Sequence, residues 1–160
     1  MPSKQRLPAA SSVDSLLDAT NRLILAELQG DARLTMAELG RRVGLSAPAV
    51  TERVQRLEAE GVIRGYRAEV DPEAVGFSLG AILRVRPASR QIAKVADLAR
   101  ETPEVLECHR ITGDDCFLMR LALRDVRHLE EVIDRFTAFG QTTTSIVQSS
   151  PVPARGVHVA

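Results

Sequence analysis

Thr35–Gly61 reads TMAELGRRVGLSAPAVTERVQRLEAEG. Met36, Leu39 and Val43 recur at the spacing of one helix face, and Val50, Val54 and Leu57 do so again after a break. Thr35 and Glu38 make a T-x-x-E capping box, in which hydroxyl and carboxylate each satisfy one unpaired N–H at the helix start. Ser46 stands as N-cap of the next helix, and Pro48 falls in its first turn, where a missing N–H costs nothing. Between the two helices, Val43-Gly44-Leu45 supplies a turn whose glycine ends the first. These are the parts of a helix-turn-helix, whose first helix braces the second in the major groove of DNA. A plain three-helix bundle with a solvated charged face has the same periodicity. The capping box, turn and Ser-Ala-Pro start together favour the DNA-binding motif.

Turning about 100° per residue from the Val50–Val54–Leu57 stripe puts Pro48, Glu52 and Gln55 outward, flanked by Ala49 and Arg56. Thr51 and Arg53 fall on the shoulders. A glutamate can accept from cytosine N4, a glutamine can read adenine, and an arginine can grip guanine. Ser46, Thr51 and Arg53 suit phosphates, which fix register and not sequence. With Thr35 and Ala47, the candidate DNA-binding set is Thr35, Ser46, Ala47, Pro48, Thr51, Glu52, Arg53, Gln55 and Arg56. Six arginines (41, 42, 53, 56, 64, 67) stand against three glutamates (52, 58, 60) between positions 41 and 67. The clustering matters because the whole chain has a formal net charge of +0, so DNA affinity must arise locally.

Upstream, a helix is expected from Asp18 to Gln29, with Ile24, Leu25 and Leu28 inward and Gly30 as its stop. Residues 1–16, with Pro2, Pro8 and several serines and alanines, read as a disordered leader without the apolar stretch of a secretory signal. No apolar run reaches membrane-spanning length, and two cysteines make no disulfide framework, so a cytoplasmic protein is expected. Aromatic residues at 3% argue against a stacking platform for single strands.

Downstream of Gly61 the period changes. Val62 to Val70 reads as extended and Asp71-Pro72 as a turn, which makes 65–75 a hinge strand or linker. Phe77, Leu79, Ala81, Leu83 and Val85 alternate strictly, with Arg84 and Arg86 on the other face. A helix follows from Ser89 to about Thr102, with Ile92, Val95, Ala96 and Ala99 inward. Val105–Thr112 and Cys116–Leu123 read as strands around a Gly113-Asp114 turn. Asp125 caps a helix carrying Val126, Leu129, Ile133 and Phe136 inward and ending at Gly140, and Thr142–Ser149 is a last strand. The order β-α-β-β-α-β is the split βαβ of ferredoxin-like folds. The chain is therefore α+β. A helix-turn-helix over 17–64 leads through 65–75 to a ferredoxin-like domain over 76–150 and a tail over 151–160. One face of such a sheet stays open, so at least a dimer is expected.

Leu17-Asp18-Ala19-Thr20-Asn21, Ile24-Leu25, Leu39, Gly44-Leu45-Ser46, Arg53-Val54, Arg56-Leu57-Glu58, Gly61-Val62-Ile63 and Gly65-Tyr66 resemble the signature of the Lrp/AsnC (feast/famine, leucine-responsive) transcription regulators. Gly76 and Thr112-Gly113-Asp114 extend the resemblance, which runs from about Leu16 to Pro151. It implies a DNA-binding regulator of promoter or operator DNA, with a hinge strand and a sensing domain that dimerises through its sheet. Dimers of such proteins commonly assemble into octamers, and amino acids bound in clefts between dimers change assembly or DNA affinity.

The resemblance assigns an effector loop to Gly113, Asp114, Asp115 and Cys116, with Thr142, Thr143, Thr144 and Ser145 lining the same cleft. Chemically these residues offer close backbone approach, negative charge and hydroxyls to a zwitterion. They suit an ordinary hairpin turn and β-strand equally. The chain departs from the family pattern at Asn21, where a second acid is usual, and at Cys116, where the loop often has Asp. The second departure implies a subgroup with its own effector.

No cofactor is implied, and no Gly-rich phosphate loop, nucleophile elbow or metalloprotease pattern suggests an enzyme. The rival class is a metal- or thiol-responsive regulator using Cys108, His109 and Cys116, with His128 as a further ligand. Cys108 and His109 are neighbours on a strand and must point to opposite faces, which counts against a shared ion.

Overall fold

The computed structural model describes residues 16–159. The chain divides into two compact units, one of residues up to Ala68 together with those from Ala154 onward, the other Glu69–Pro153. Of the expected leader, all but Leu16 lies outside the described residues. Leu16 itself is 4% exposed and belongs to the first core.

In the first unit, helices α1 (Ala19–Gly30), α2 (Met36–Val43) and α3 (Ala47–Ala59) enclose Leu16, Ile24, Leu25, Leu28, Leu39, Val50, Val54 and Leu57. Each fully buried aliphatic side chain contributes about 1.5–3 kcal/mol. Asp18, Thr35 and Ser46 cap the three helices, accepting from the backbone N–H of Asn21, Glu38 and Ala49. The capping box at α2 is half made. Thr35 Oγ1 accepts from Glu38 N at 3.1 Å, but the Glu38 carboxylate turns away to Arg42 at 3.1 Å and to Arg41. Two guanidiniums within one helical turn outbid a single backbone N–H. Gly44 ends α2 in the left-handed region at φ 72°. The turn then doubles back so tightly that a Cβ on Gly40 would stand 2.6 Å from the Leu45 carbonyl oxygen. Val159 and half-buried Val62 and Ile63 pack against this core, and Gln29 Nε2 donates to the Val157 carbonyl at 3.0 Å. Residues 154–159, within the stretch 151–160 expected as a tail, thus belong with the helices.

Residues 65–75 form no strand. They are exposed and unpaired, and the one regular element is a 3-10 turn over Glu73–Val75, closed by Gly76 at φ 91°. Among the described residues no strand offers them a ladder, so β-forming residues such as Val70 stay without strand partners.

The second unit runs β1 (Leu79–Pro87), α4 (Ile92–Glu101), β2 (Val105–Arg110), β3 (Phe117–Leu123), α5 (Val126–Thr137) and β4 (Gly140–Ile146). Its sheet has the order β2-β3-β1-β4, and every pair is antiparallel. This is the expected ferredoxin-like α+β topology. Ala81, Leu83, Val85, Phe117, Met119, Leu121 and Leu123 point to the helices, where Val95, Ala99, Leu129, Val132 and Phe136 meet them.

The helix details differ from the sequence reading. The first turn expected at Ser89 is absent because Arg90 adopts φ 65°, and α4 begins at Ile92, itself 38% exposed. Val126 is 55% exposed, and its place on the buried face of α5 is taken by His128. Gly140 starts β4 and does not stop α5. Ala138 caps that helix, and Gly140 lies so close to β1 that a Cβ would stand 2.2 Å from the Arg86 carbonyl oxygen. The opposite sheet face carries Ile82, Arg84, Leu118, Arg120, Thr143 and Ser145, and no helix of the unit covers it.

Gly40→Ala is expected to destabilise the first unit by about 1–3 kcal/mol, since the clash is with backbone that cannot swing aside. Gly30→Ala, whose methyl would meet nothing within 4 Å, is expected to be neutral or stabilising by up to about 1 kcal/mol. Denaturant titrations followed by circular dichroism compare the two. Equal effects would show that the α2–α3 turn can relax.

Candidate DNA-binding face and effector loop

Helix α3 buries Val50, Val54 and Leu57 and leaves Pro48, Glu52, Gln55 and Arg56 exposed together, as its wheel requires. Ser46 and Thr35 are exposed at the starts of α3 and α2, although each hydroxyl oxygen already accepts a capping hydrogen bond. Ala47 is half-buried. Thr51 Oγ1 donates to the Ala47 carbonyl at 2.7 Å, which fixes its hydroxyl along the helix.

Arg53, expected on phosphate, is turned toward α1. Its Nη1 lies 2.7 Å from Asp18 Oδ2 and 3.0 Å from Asn21 Oδ1. The local charge excess shrinks accordingly. Arg41 and Arg42 pair with Glu38, and Arg42 also reaches Glu27 at 2.9 Å. Arg56, Arg64 and Arg67 form no ion pair among the described residues and supply the free positive charge around α3.

In the second unit the hairpin between β2 and β3 carries the expected loop. Gly113 adopts φ 106°, and the ladder continues into the loop through Ile111 N to Cys116 O and Cys116 N to Val85 O, both 3.0 Å. Both loop acids are engaged by arginines that the sequence reading left outside the site. Arg86 Nη2 is 3.1 Å from Asp114 Oδ2, Arg86 Nε donates to the Asp114 carbonyl at 3.0 Å, and Arg84 Nη1 is 3.5 Å from Asp115 Oδ2. Alternation had put both arginines on the free face, but their pairing depends on how far the hairpin folds back, which spacing does not reveal.

The β4 hydroxyls divide between the two faces. Thr143 lies opposite Arg84 and Ser145 opposite Ile82, on the open face with the arginines. Thr142 and Thr144 lie opposite Val85 and Leu83, on the helix side, so all four cannot line one cleft. Cys116 is half-buried against the core, with its backbone used in the ladder.

The metal reading fails on geometry. Cys108 lies opposite Met119 on the helix side and His109 opposite Leu118 on the open side, where it meets Glu107 at 3.5 Å. Burial raises the Cys108 thiol pKa, with Arg100 opposing it, so the thiol stays protonated at neutral pH. His128 is 6% exposed and committed elsewhere, accepting from Arg124 N at 3.2 Å and meeting Glu104 Oε1 at 2.9 Å. Among the described residues no cluster of three or more potential ligands could hold a metal ion.

An exposed helix-turn-helix joined to a ferredoxin-like sensing domain defines a ligand-responsive DNA-binding regulator. The comparisons agree with that class. Residues 17–64 match a winged helix-turn-helix DNA-binding family, and residues 80–157 match the Lrp/AsnC ligand binding domain. The chain is 41% identical over 134 residues to the HTH-type transcriptional regulator YezC of Bacillus subtilis, covering 84% of this chain and 95% of that one. Its structure is similar to the feast or famine regulatory protein of Mycobacterium tuberculosis complexed with L-methionine. That match has TM-score 0.84 and 32% identity, and covers 90% and 99% of the two chains. A Neisseria meningitidis transcriptional regulator in complex with L-methionine gives TM-score 0.80 and 30% identity, with 87% and 94% covered. The chain belongs to the Lrp/AsnC family of DNA-binding transcription regulators. No helix among the described residues is long and apolar enough to cross a membrane.

The hydrogen bond from Arg53 holds the Asp18 carboxyl below its ordinary pKa of 3.8, helped by the Asn21 N–H. A depressed folded pKa stabilises the fold above the unfolded value and loses that contribution as pH falls through the folded one. Below about pH 4, therefore, wild type is expected to lose stability in the first unit more steeply than Asp18→Asn. Thermal melts across this range test it, and superimposable acid limbs would show that the pair contributes nothing.

Proposed function

We propose that α3 enters the major groove with Glu52, Gln55 and Arg56 at base edges and Pro48 and Ala47 against the groove wall. Thr35, Ser46 and Thr51 approach the phosphate backbone. The observation that carries this reading is the exposed, ion-pair-free Arg56 beside Glu52 and Gln55 on one helix face. Such regulators act on DNA in the cytoplasm. Arg56→Ala is expected to cost about 1–3 kcal/mol on a duplex selected from a randomised pool and to relax preference at one base position. Unchanged affinity and preference would mean that α3 meets DNA by another face.

The effector is an amino acid, bound at the β2–β3 hairpin. Exposed ion pairs are worth at most about 1 kcal/mol, so Arg86–Asp114 separates readily, and the half-buried Arg84–Asp115 contact is already long at 3.5 Å. Separated, they offer a guanidinium to the ligand's carboxylate and a carboxylate to its ammonium, the two charges of a zwitterion. The related regulators of M. tuberculosis and N. meningitidis hold L-methionine. In this chain Cys116 brings no carboxylate to the loop, so the ammonium falls to Asp114 or Asp115. Thr143 and Ser145 are the hydroxyls on the same sheet face.

The chain acts as a homo-oligomer through that open face, and the effector alters assembly or DNA affinity by preferring one state. Calorimetric titration with the twenty amino acids, L-methionine first, identifies the ligand, while light scattering follows assembly. Arg86→Met and Gly113→Val are each expected to weaken binding tenfold or more. Wild-type affinity in both variants would place the site elsewhere.

A further inference from the structure

We propose that Arg53 is a positioning residue for base reading and not a DNA contact: with Asp18 and Asn21 it clamps the recognition helix to the start of α1. The inference rests on the reading of α3 as the recognition helix. One carboxylate does two tasks. Asp18 Oδ1 accepts from Asn21 N at 2.7 Å and so begins α1, while Oδ2 holds Arg53 Nη1 at 2.7 Å. Asn21 completes the clamp. It is 4% exposed, its Nδ2 donates to the Leu16 carbonyl at 2.6 Å, and its Oδ1 accepts from Arg53 at 3.0 Å.

For Arg53 to swing onto a phosphate it would abandon Asp18 and leave a buried amide oxygen without its donor. Arg53 is therefore built to stay. The clamp also lies where it can matter. The backbone of helix α3 approaches α2 more extensively than α1, so this polar tie spans the less closely approached of the two helices. Asp18, Asn21 and Arg53 share a cavity of about 280 Å³ with Ala49, Glu52 and Arg56, two of which are the base-facing residues. Loss of the tie lets α3 tilt, and a tilt moves Glu52, Gln55 and Arg56 together. Base-edge hydrogen bonds are lost by such a shift, whereas the charge presented to phosphates is not.

The two roles predict different salt behaviour. DNA binding of wild type, Asp18→Asn, Arg53→Met and the double variant is measured from 50 to 200 mM salt on two duplexes of equal length. One is selected by wild type from a randomised pool and the other has random sequence. Asp18→Asn keeps the N-cap acceptor and the shape, so α1 still starts normally. For a positioning residue, each single variant lowers the ratio of selected to random affinity at least fivefold, the double variant lowers it no further, and the salt slope is that of wild type. Arg53→Lys, which keeps the charge but ends short of the Nη1 position that holds both acceptors, then behaves like Arg53→Met.

A phosphate contact gives the opposite pattern. Arg53→Met would reduce the salt slope by about 0.9, Arg53→Lys would restore it, and Asp18→Asn would free the guanidinium and tighten binding to both duplexes. That result, or wild-type ratios in all variants, overturns the proposal. If Arg53→Met does not fold, Asp18→Asn and Arg53→Lys decide alone. A wild type that enriches no sequence from the pool would instead bring down the underlying reading of α3.

Discussion

Successive side chains on a strand point to opposite faces, and the second unit depends on that constraint. Alternation in β1 and β3 fills one side with Ala81, Leu83, Val85, Phe117, Met119 and Leu121, enough to seat both helices. The same alternation obliges Ile82, Arg84 and Leu118 to the other side, and the hairpin loop folds toward the two arginines there. Core and candidate effector face are therefore one pattern seen from its two sides. A one-residue slip of β1 against β3 would bury Arg84 and expose Leu83, so the apolar side fixes where the charged side lies.

The element order and the buried stripes were legible because they repeat: period 3.6 in α2, α3 and α5, and period two in β1 and β3. What failed to show was what depends on a partner distant in sequence. Arg53 sits on the shoulder of α3 in any helical wheel, yet its acceptors lie 35 and 32 residues away. Arg84 and Arg86 were visible as free-face residues, but their pairing with Asp115 and Asp114 needed the hairpin in place. The resemblance implies Thr142–Ser145 as a block, and the alternation of its own strand divides it. Spacing alone puts Val126 inward, yet it is 55% exposed. The helix chose His128, whose two ring nitrogens find Arg124 N–H and Glu104, so the polar group is satisfied where it is buried.

Glu104 shows how such a site is settled by competition. Burial pushes its pKa up, but the hydrogen bond from His128 and the nearby Arg135, 3.5 Å away, bring it below the ordinary range. Its backbone carbonyl also accepts from Ala122 N at 3.0 Å. One residue between α4 and β2 thus links β3 and α5 through both its backbone and its carboxylate. Neither charge nor hydropathy in the surrounding sequence marks it, because its partners come from two other elements, β3 and α5.

Neutral overall charge and DNA binding are reconciled by the same partner logic. Counting residues gives a positive surplus from Arg41 to Arg67, but much of it is paired with carboxylates at the surface. Arg41 and Arg42 are spent on Glu38 and Glu27, and Arg53 on Asp18. What faces outward near α3 is Arg56, Arg64 and Arg67, beside Glu52 and Glu58, the latter already bonded to the Tyr66 hydroxyl at 2.8 Å. With few unpaired cations around α3 among the described residues, counterion release there is small. On the proposed reading of α3, sequence preference then rests on how that helix is oriented, which is where the contacts of Arg53 with Asp18 and Asn21 would act.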